Sequence, residues 1–87
     1  MIIRYRNKFL KQLDKKPAKI RLAFVQRAKI FEKDRFDYLL NNHALGGKYQ
    51  GCRSINITGD WRAIFREFDN YSVVSFETLG THSQLYK

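Results

Sequence analysis

Two histidines stand in turn-rich, polar stretches far apart in the chain: His43 after Asn41-Asn42, and His82 within Gly80-Thr81-His82-Ser83. Imidazole has an unperturbed pKa of about 6.5, so it can both take and give a proton near neutrality. Between the histidines lie Lys48, Arg53, Asp60, Arg62 and Arg66. An acid, a base and several cations are what a phosphodiester transfer within RNA needs. The base removes the ribose 2′-OH proton, the acid protonates the leaving 5′-oxygen, and cations hold the pentacoordinate phosphate. That chemistry requires no metal. Taken one at a time, each residue also has an ordinary role. A lone loop histidine is more often a surface residue, and Asp60 after Gly59 can serve as a turn former. Trp61 suits packing more than base stacking, Lys48 and Arg66 can be solubilising, and Tyr86 can anchor the C-terminus.

The stretch from His43 to Trp61 organises these groups. Gly46, Gly47 and Gly51 permit backbone angles that other residues resist. The chain then enters an alternating segment and closes on Gly59-Asp60-Trp61.

At 87 residues the chain is expected to form one domain, spanning 1–87, with a small core. No apolar run is long enough to span a membrane, and charges interrupt the first residues at once, unlike a signal peptide. The cytoplasm is the default compartment. One cysteine, Cys52, excludes an internal disulfide and a cysteine-built metal cluster. The formal net charge is +9, and its distribution is informative. Residues 1–35 hold twelve Lys or Arg against three Asp or Glu, whereas residues 36–87 hold five of each. The whole excess lies in the N-terminal part, which favours a polyanionic partner such as RNA, DNA or an acidic protein.

The elements that position the site follow from periodicity. Ile2–Tyr5 is β-prone. Asn7 is expected to cap a helix over Lys8–Lys15 with Phe9, Leu10 and Leu13 on its apolar side. Pro17 separates this from a second helix running to Lys33. There, Ile20, Ala23, Phe24, Arg27, Ala28, Ile30 and Phe31 share a face, with Lys19, Gln26, Lys29 and Lys33 opposite. Leu22 and Val25 fall off the stripe, and are expected to pack on the first helix or to form part of a partner groove. Phe36–Leu40 reads as a short helical turn. Alternation over residues 52–57, a turn at Thr58–Asp60, Trp61–Phe68, a turn at Asp69-Asn70 and Tyr71–Glu77 read as three strands in an antiparallel meander. Helices first and strands afterwards imply an α+β fold, an N-terminal helical hairpin packed on a small antiparallel sheet. The other sheet face is expected to be open and to carry the polar groups.

Three segments in order, His43–Ile57, Gly59–Phe65 and Gly80–Tyr86, resemble the RelE/ParE toxin superfamily of bacterial toxin–antitoxin systems, and most of all its YafQ-type messenger-RNA endonucleases. The resemblance covers nearly the whole chain, including the basic helical hairpin. It implies a RelE-like fold with His43, Asp60 and His82 lining a catalytic cleft, Tyr86 as a functional aromatic, and Arg62 as a phosphate-binding arginine. Some YafQ-type toxins carry a further active-site histidine where this chain has Asn56, which can hydrogen-bond but cannot exchange a proton at neutral pH. The implied activity is ribosome-dependent cleavage of messenger RNA without a cofactor or metal, neutralised by a cognate antitoxin. His82 is then the leading acid or base, assisted by His43 and Asp60, with Tyr86 stacking on a base. Lys48, Arg53, Arg62, Asn56 and Trp61 are the expected substrate contacts. Lys19, Lys29, Lys33, Leu22 and Val25 are the expected ribosome or antitoxin surface. The alternatives are a ParE-like inhibitor of DNA gyrase on the same fold, and a non-enzymatic nucleic-acid-binding module.

Overall fold

The computed structural model describes residues 1–86. Strand β1 (Ile2–Tyr5) leads into helix α1 (Asn7–Asp14) and helix α2 (Ala18–Lys33). A 3₁₀ turn (Tyr38–Leu40), strand β2 (His43–Ala44) and a second 3₁₀ turn (Gly47–Tyr49) follow. Strands β3 (Arg53–Asn56), β4 (Trp61–Phe68) and β5 (Val73–Thr81) precede a last turn of helix, α3 (His82–Leu85). The sheet order is β1-β5-β4-β3-β2. The architecture is α+β, with α1 and α2 on one face of a mostly antiparallel sheet.

β1 departs from the meander. It pairs parallel with β5, placing Ile2 opposite Val73 and Tyr5 opposite Phe76. The pairing persists one residue further, because the Arg6 N–H donates to the Phe76 carbonyl at 3.0 Å. Arg6 therefore keeps extended angles and occupies the N-cap, and Asn7 becomes the first helical residue instead of the cap. Pro17 caps α2 in the same way, its carbonyl accepting from the N–H groups of Ile20 and Arg21.

The core lies between the helices and one sheet face. Ile20, Phe24, Ala28 and Phe31 of α2 are buried there, as the 3.6-residue period requires. Phe76 of β5 is fully buried, and its ring sits 5.3–6.0 Å from the rings of Tyr5, Phe9, Phe24, Phe31 and Phe65. Edge-to-face pairs such as Phe24–Phe76, at 90°, add directional attraction to the area they bury. Leu22 and Val25 are not buried by α1 and remain exposed at 63% and 46%.

β5 extends four residues beyond the expected Glu77, to Thr81. A register shift permits this. Ile64 faces Thr78 while Phe65 faces Phe76, so Glu77 is the extra residue of a bulge in β5. The β4–β5 connection holds Asp69, Asn70 and Tyr71 at φ between 53° and 67°. Tyr71 tolerates this conformation because its N–H donates to the Glu67 carboxylate, Asn42 donates to its hydroxyl, and its ring packs on Phe31, Phe36 and Phe65.

Truncating Phe76 to alanine should cost about 3–5 kcal/mol, the usual range for emptying a buried phenylalanine site. Phe68, 51% exposed on the neighbouring strand, should tolerate the same change within about 0.5 kcal/mol. Urea titration of both variants checks the contrast.

Candidate active site

The face of the sheet away from the helices is not wholly open. Cys52, Ile64 and Leu85 form a second buried cluster, with Leu45 and Tyr49 against it. This staple positions the C-terminal turn. A Cβ added to Gly80 would lie 3.3 Å from the Leu85 side chain, so Gly80 lets α3 close onto β5. α3 begins with a capping box in which Thr81 Oγ1 accepts from the Gln84 N–H and Gln84 Oε1 accepts from the Thr81 N–H. His82 is thus the first residue of a short helix and not part of a loop. Its own N–H donates to the Asp60 carbonyl at 3.0 Å, joining it to the β3–β4 turn.

His43 enters from the opposite side. β2 is an edge strand, and His43 pairs with Ser54 of β3. Asn41 before it adopts a left-handed conformation, φ 46°, and turns its carbonyl to within 2.8 Å of His43 Nδ1. A carbonyl can only accept, so this hydrogen bond places the proton of the neutral ring on Nδ1. Nε2 then carries the lone pair.

His43, Arg62, His82 and Tyr86 line one cleft with Asn41, Ala44, Leu45 and Gly46, a cavity of about 480 Å³. The Tyr86 ring centroid lies 4.8 Å from that of His82. Tyr49 meets Tyr86 edge-on at 5.8 Å. Arg62 Nη1 donates to the carbonyls of Thr58, Gly59 and Trp61, each at 3.1 Å, which fixes the guanidinium and the turn bearing Asp60 together. Asp60 is exposed beside the cleft, and its backbone carbonyl makes the link to His82. Asn56 is the strand partner of Arg62, and its Oδ1 is buried without a hydrogen-bond partner.

The remaining expected contacts lie elsewhere. Lys48 is exposed above the Tyr49 ring and lines an adjoining depression together with Arg66. Trp61 packs against the helix-side core with the Lys16 ammonium 5.1 Å from its ring. Arg53 has the parity of the core residues Ile55 and Ile57; its Nε donates to Asn42 and its guanidinium lies over Phe36. Neither Arg53 nor Trp61 lines the cleft. Lys19, Lys29 and Lys33 are exposed on α2. Burial pushes the Cys52 thiol up, with Arg66 opposing, so Cys52 is a packing residue and a poor nucleophile. Two contributors had no clear sequence signal: Tyr49, placed by the second 3₁₀ turn, and the carbonyl of Asn41. The Asn-Asn pair did mark a segment tolerant of left-handed angles. Among the described residues no helix is long and apolar enough to cross a membrane.

This arrangement of helices, sheet and C-terminal turn is shared by solved toxin structures. YafQ from Escherichia coli BL21(DE3) superposes with a TM-score of 0.73 at 21% identity, over 98% of this chain and 97% of that one. The RelBE2 toxin–antitoxin complex from Mycobacterium tuberculosis gives 0.75 at 20% identity, over 93% and 96%. The E. coli DinJ–YafQ complex gives 0.70 at 22%, over 98% and 97%. At these identities the likeness is one of fold. No curated protein sequence matches the chain significantly. The class so defined is the fold of these small toxins, two helices packed on one face of a five-stranded sheet. Within it, the chain belongs to the YafQ family, bacterial toxins of type II toxin–antitoxin systems, whose family model matches residues 2–87.

Two measurements check the site geometry. Nitrogen-15 NMR of the neutral protein should show His43 as the Nδ1-protonated tautomer. Asn56→His should fold with a melting temperature within a few degrees of the parent, because residue 56 has the parity of the face away from the helices. A large loss would place residue 56 against the core.

Proposed function

We propose that this toxin is a metal-independent, ribosome-dependent endoribonuclease that cleaves messenger RNA and so inhibits translation. The observation that carries the reading is the convergence of two imidazoles and one guanidinium on a single cleft, with the Nε2 lone pair of His43 available.

In this reaction His43 Nε2 takes the 2′-OH proton, and the 2′-oxygen attacks the adjacent phosphorus. His82, as imidazolium, delivers a proton to the departing 5′-oxygen. The products are a 2′,3′-cyclic phosphate and a 5′-hydroxyl. Arg62, already fixed by three carbonyls, offers its remaining donors to the phosphate oxygens as charge builds. Tyr86 holds a base by stacking beside His82, and Asn56 contributes a hydrogen bond where some relatives have an imidazole. Asp60 acts as a positioning residue through its carbonyl. The two imidazoles cover both proton transfers.

The cleft is shallow and has few means of aligning a flexible strand. Orientation is worth about 7–11 kcal/mol of barrier. A ribosome already holds messenger RNA extended in its decoding site and can supply it. The exposed cations Lys19, Lys29 and Lys33 would dock on ribosomal RNA. A cognate antitoxin is the expected inhibitor; the solved DinJ–YafQ and RelBE2 structures are toxin–antitoxin complexes. The exposed Leu22 and Val25, set among basic side chains, suit an acidic, apolar antitoxin segment.

His82→Gln should lower cleavage by about 10²–10⁴-fold while leaving thermal stability unchanged, since the residue is exposed. In cells, a reporter transcript with its start codon should be cut and the same transcript without it spared, as read by mapping 5′ ends. EDTA should not change the rate of the chemical step. Equal cutting of both transcripts would refute the ribosomal requirement. Intact transcripts with altered DNA supercoiling would point to gyrase as the target.

A further inference from the structure

The face that holds the cleft carries a second concentration of positive charge. β1 contributes Arg4, and Arg6 follows at its end. Lys8 comes from the first turn of α1, Lys48 from the second 3₁₀ turn, and Arg66 from β4. They border two depressions of about 460 and 450 Å³. Both depressions are lined by Arg6, Arg66 and Glu77, so they form one trough. Tyr49 lines its near end and meets Tyr86 of the cleft edge-on, so trough and cleft adjoin across that ring pair.

Five cations and one carboxylate line this trough among the described residues. The carboxylate, Glu77, is the bulge residue of β5. Ser75 Oγ donates to it at 2.7 Å, and it lies 3.9 Å from Arg6 and 3.7 Å from Arg66. Those separations are long, and the arginine side chains remain 65% and 44% exposed. Such pairs are weak and leave most guanidinium donors free. Glu77 therefore orients the two arginines without neutralising the trough. Gly51 locates Arg66 from the other side. At φ +86° it approaches so closely that a Cβ there would meet Arg66 Nη1 at 2.9 Å.

We propose that this trough carries the backbone of single-stranded RNA into the cleft, its phosphates on Arg4, Arg6, Lys8, Lys48 and Arg66 and a base against the Tyr49–Tyr86 pair. Cations along a groove with aromatic rings at one end are how sequence-tolerant single-strand binders work. The inference rests on the RNA-cleaving reading of the cleft and extends it, because it makes the N-terminal strand part of the substrate path. An acidic peptide is the other polyanion to consider, but the ring pair where trough and cleft adjoin favours RNA.

The test uses the full chain and a fluorescent, fully 2′-O-methylated single-stranded RNA, which lacks the 2′-OH and cannot be cut. Binding is read by anisotropy over a salt series. The Arg4→Gln/Arg6→Gln/Lys8→Gln triple should weaken binding about tenfold or more. It should also make the slope of log affinity against log salt shallower by about 2, or about 0.7 for each phosphate deprived of its cation. The Lys11→Gln/Lys15→Gln/Arg21→Gln triple removes the same charge from the helical hairpin, away from the trough, and should leave affinity and slope unchanged. Equal weakening in both triples would reduce the effect to net charge and overturn the proposal, as would full affinity in the first. Weakened binding of an acidic peptide with RNA binding intact would assign the trough to a protein partner and likewise overturn it. Should the first triple fail to fold, Arg4→Gln/Lys8→Gln replaces it, with an expected slope change of about 1.4. Because the probe is uncleavable, the two readings fail separately. A protein that cuts no RNA but shows the weakened binding keeps the trough and refutes the nuclease. One that cuts translated messages with binding unaffected by the triple does the reverse.

Discussion

Two helices can cover only one face of a five-stranded sheet. With 87 residues the chain has no third layer to spend, so the fold depends on making one face dry and leaving most of the other for use. The dry face is built on aromatic rings that surround Phe76, which is in ring contact with β1, α1, α2 and β4 at once. The used face is held by the small cluster of Cys52, Ile64 and Leu85, with Leu45 and Tyr49 against it. Polar and charged groups occupy what remains, and their position is set by backbone hydrogen bonds more than by burial.

The cleft is a product of that economy. Its two histidines come from the ends of different elements, and each is located by one carbonyl: Asn41 for the ring of His43, Asp60 for the backbone of His82. Arg62 ties the Asp60 turn from within the same strand pair. The C-terminal turn is short, so it depends on Leu85, the absence of a side chain at Gly80, and the Thr81–Gln84 capping box. A cleft assembled this way is shallow, and for the nuclease chemistry proposed for it, alignment of the substrate has to come from outside it.

Much of this was legible in the residue pattern. The stripe through Ile20, Phe24, Ala28 and Phe31 identified the buried face of α2, and alternation over residues 52–57 identified β3. The same alternation already committed Arg53 to the side of Ile55 and Ile57, and Trp61 to the side of Ala63 and Phe65. Strand parity, not the capacity of these side chains to touch RNA, decides where both residues lie. Other features have no local signature. The parallel pairing of β1 depends on a strand about seventy residues away, and the bulge at Glu77 depends on register with β4. Leu22 and Val25 show the limit of reading apolar residues as core: the pair lies off the stripe, and both side chains remain exposed. Tyr49 was missed because a 3₁₀ turn, not a strand or helix period, points it at Tyr86.

The pairing of β1 with β5 also bears on the birth of the molecule. Ile2 is made long before its strand partner, Val73. At a synthesis rate of about 5–20 residues per second, roughly 4–14 s separate the two, and the exposed β1 edge has no mate in the interval. Closing so long a loop is entropically costly until the aromatic cluster around Phe76 can reward it. Phe76 itself lies on β5, so the core around it cannot form before that strand is made, and the cleft, which needs His82 and Tyr86, has to wait for α3 as well. A nascent chain that stops short of β5 and α3 therefore holds its two helices and its first strand without the partner strand, ring cluster or cleft that they are shaped to meet.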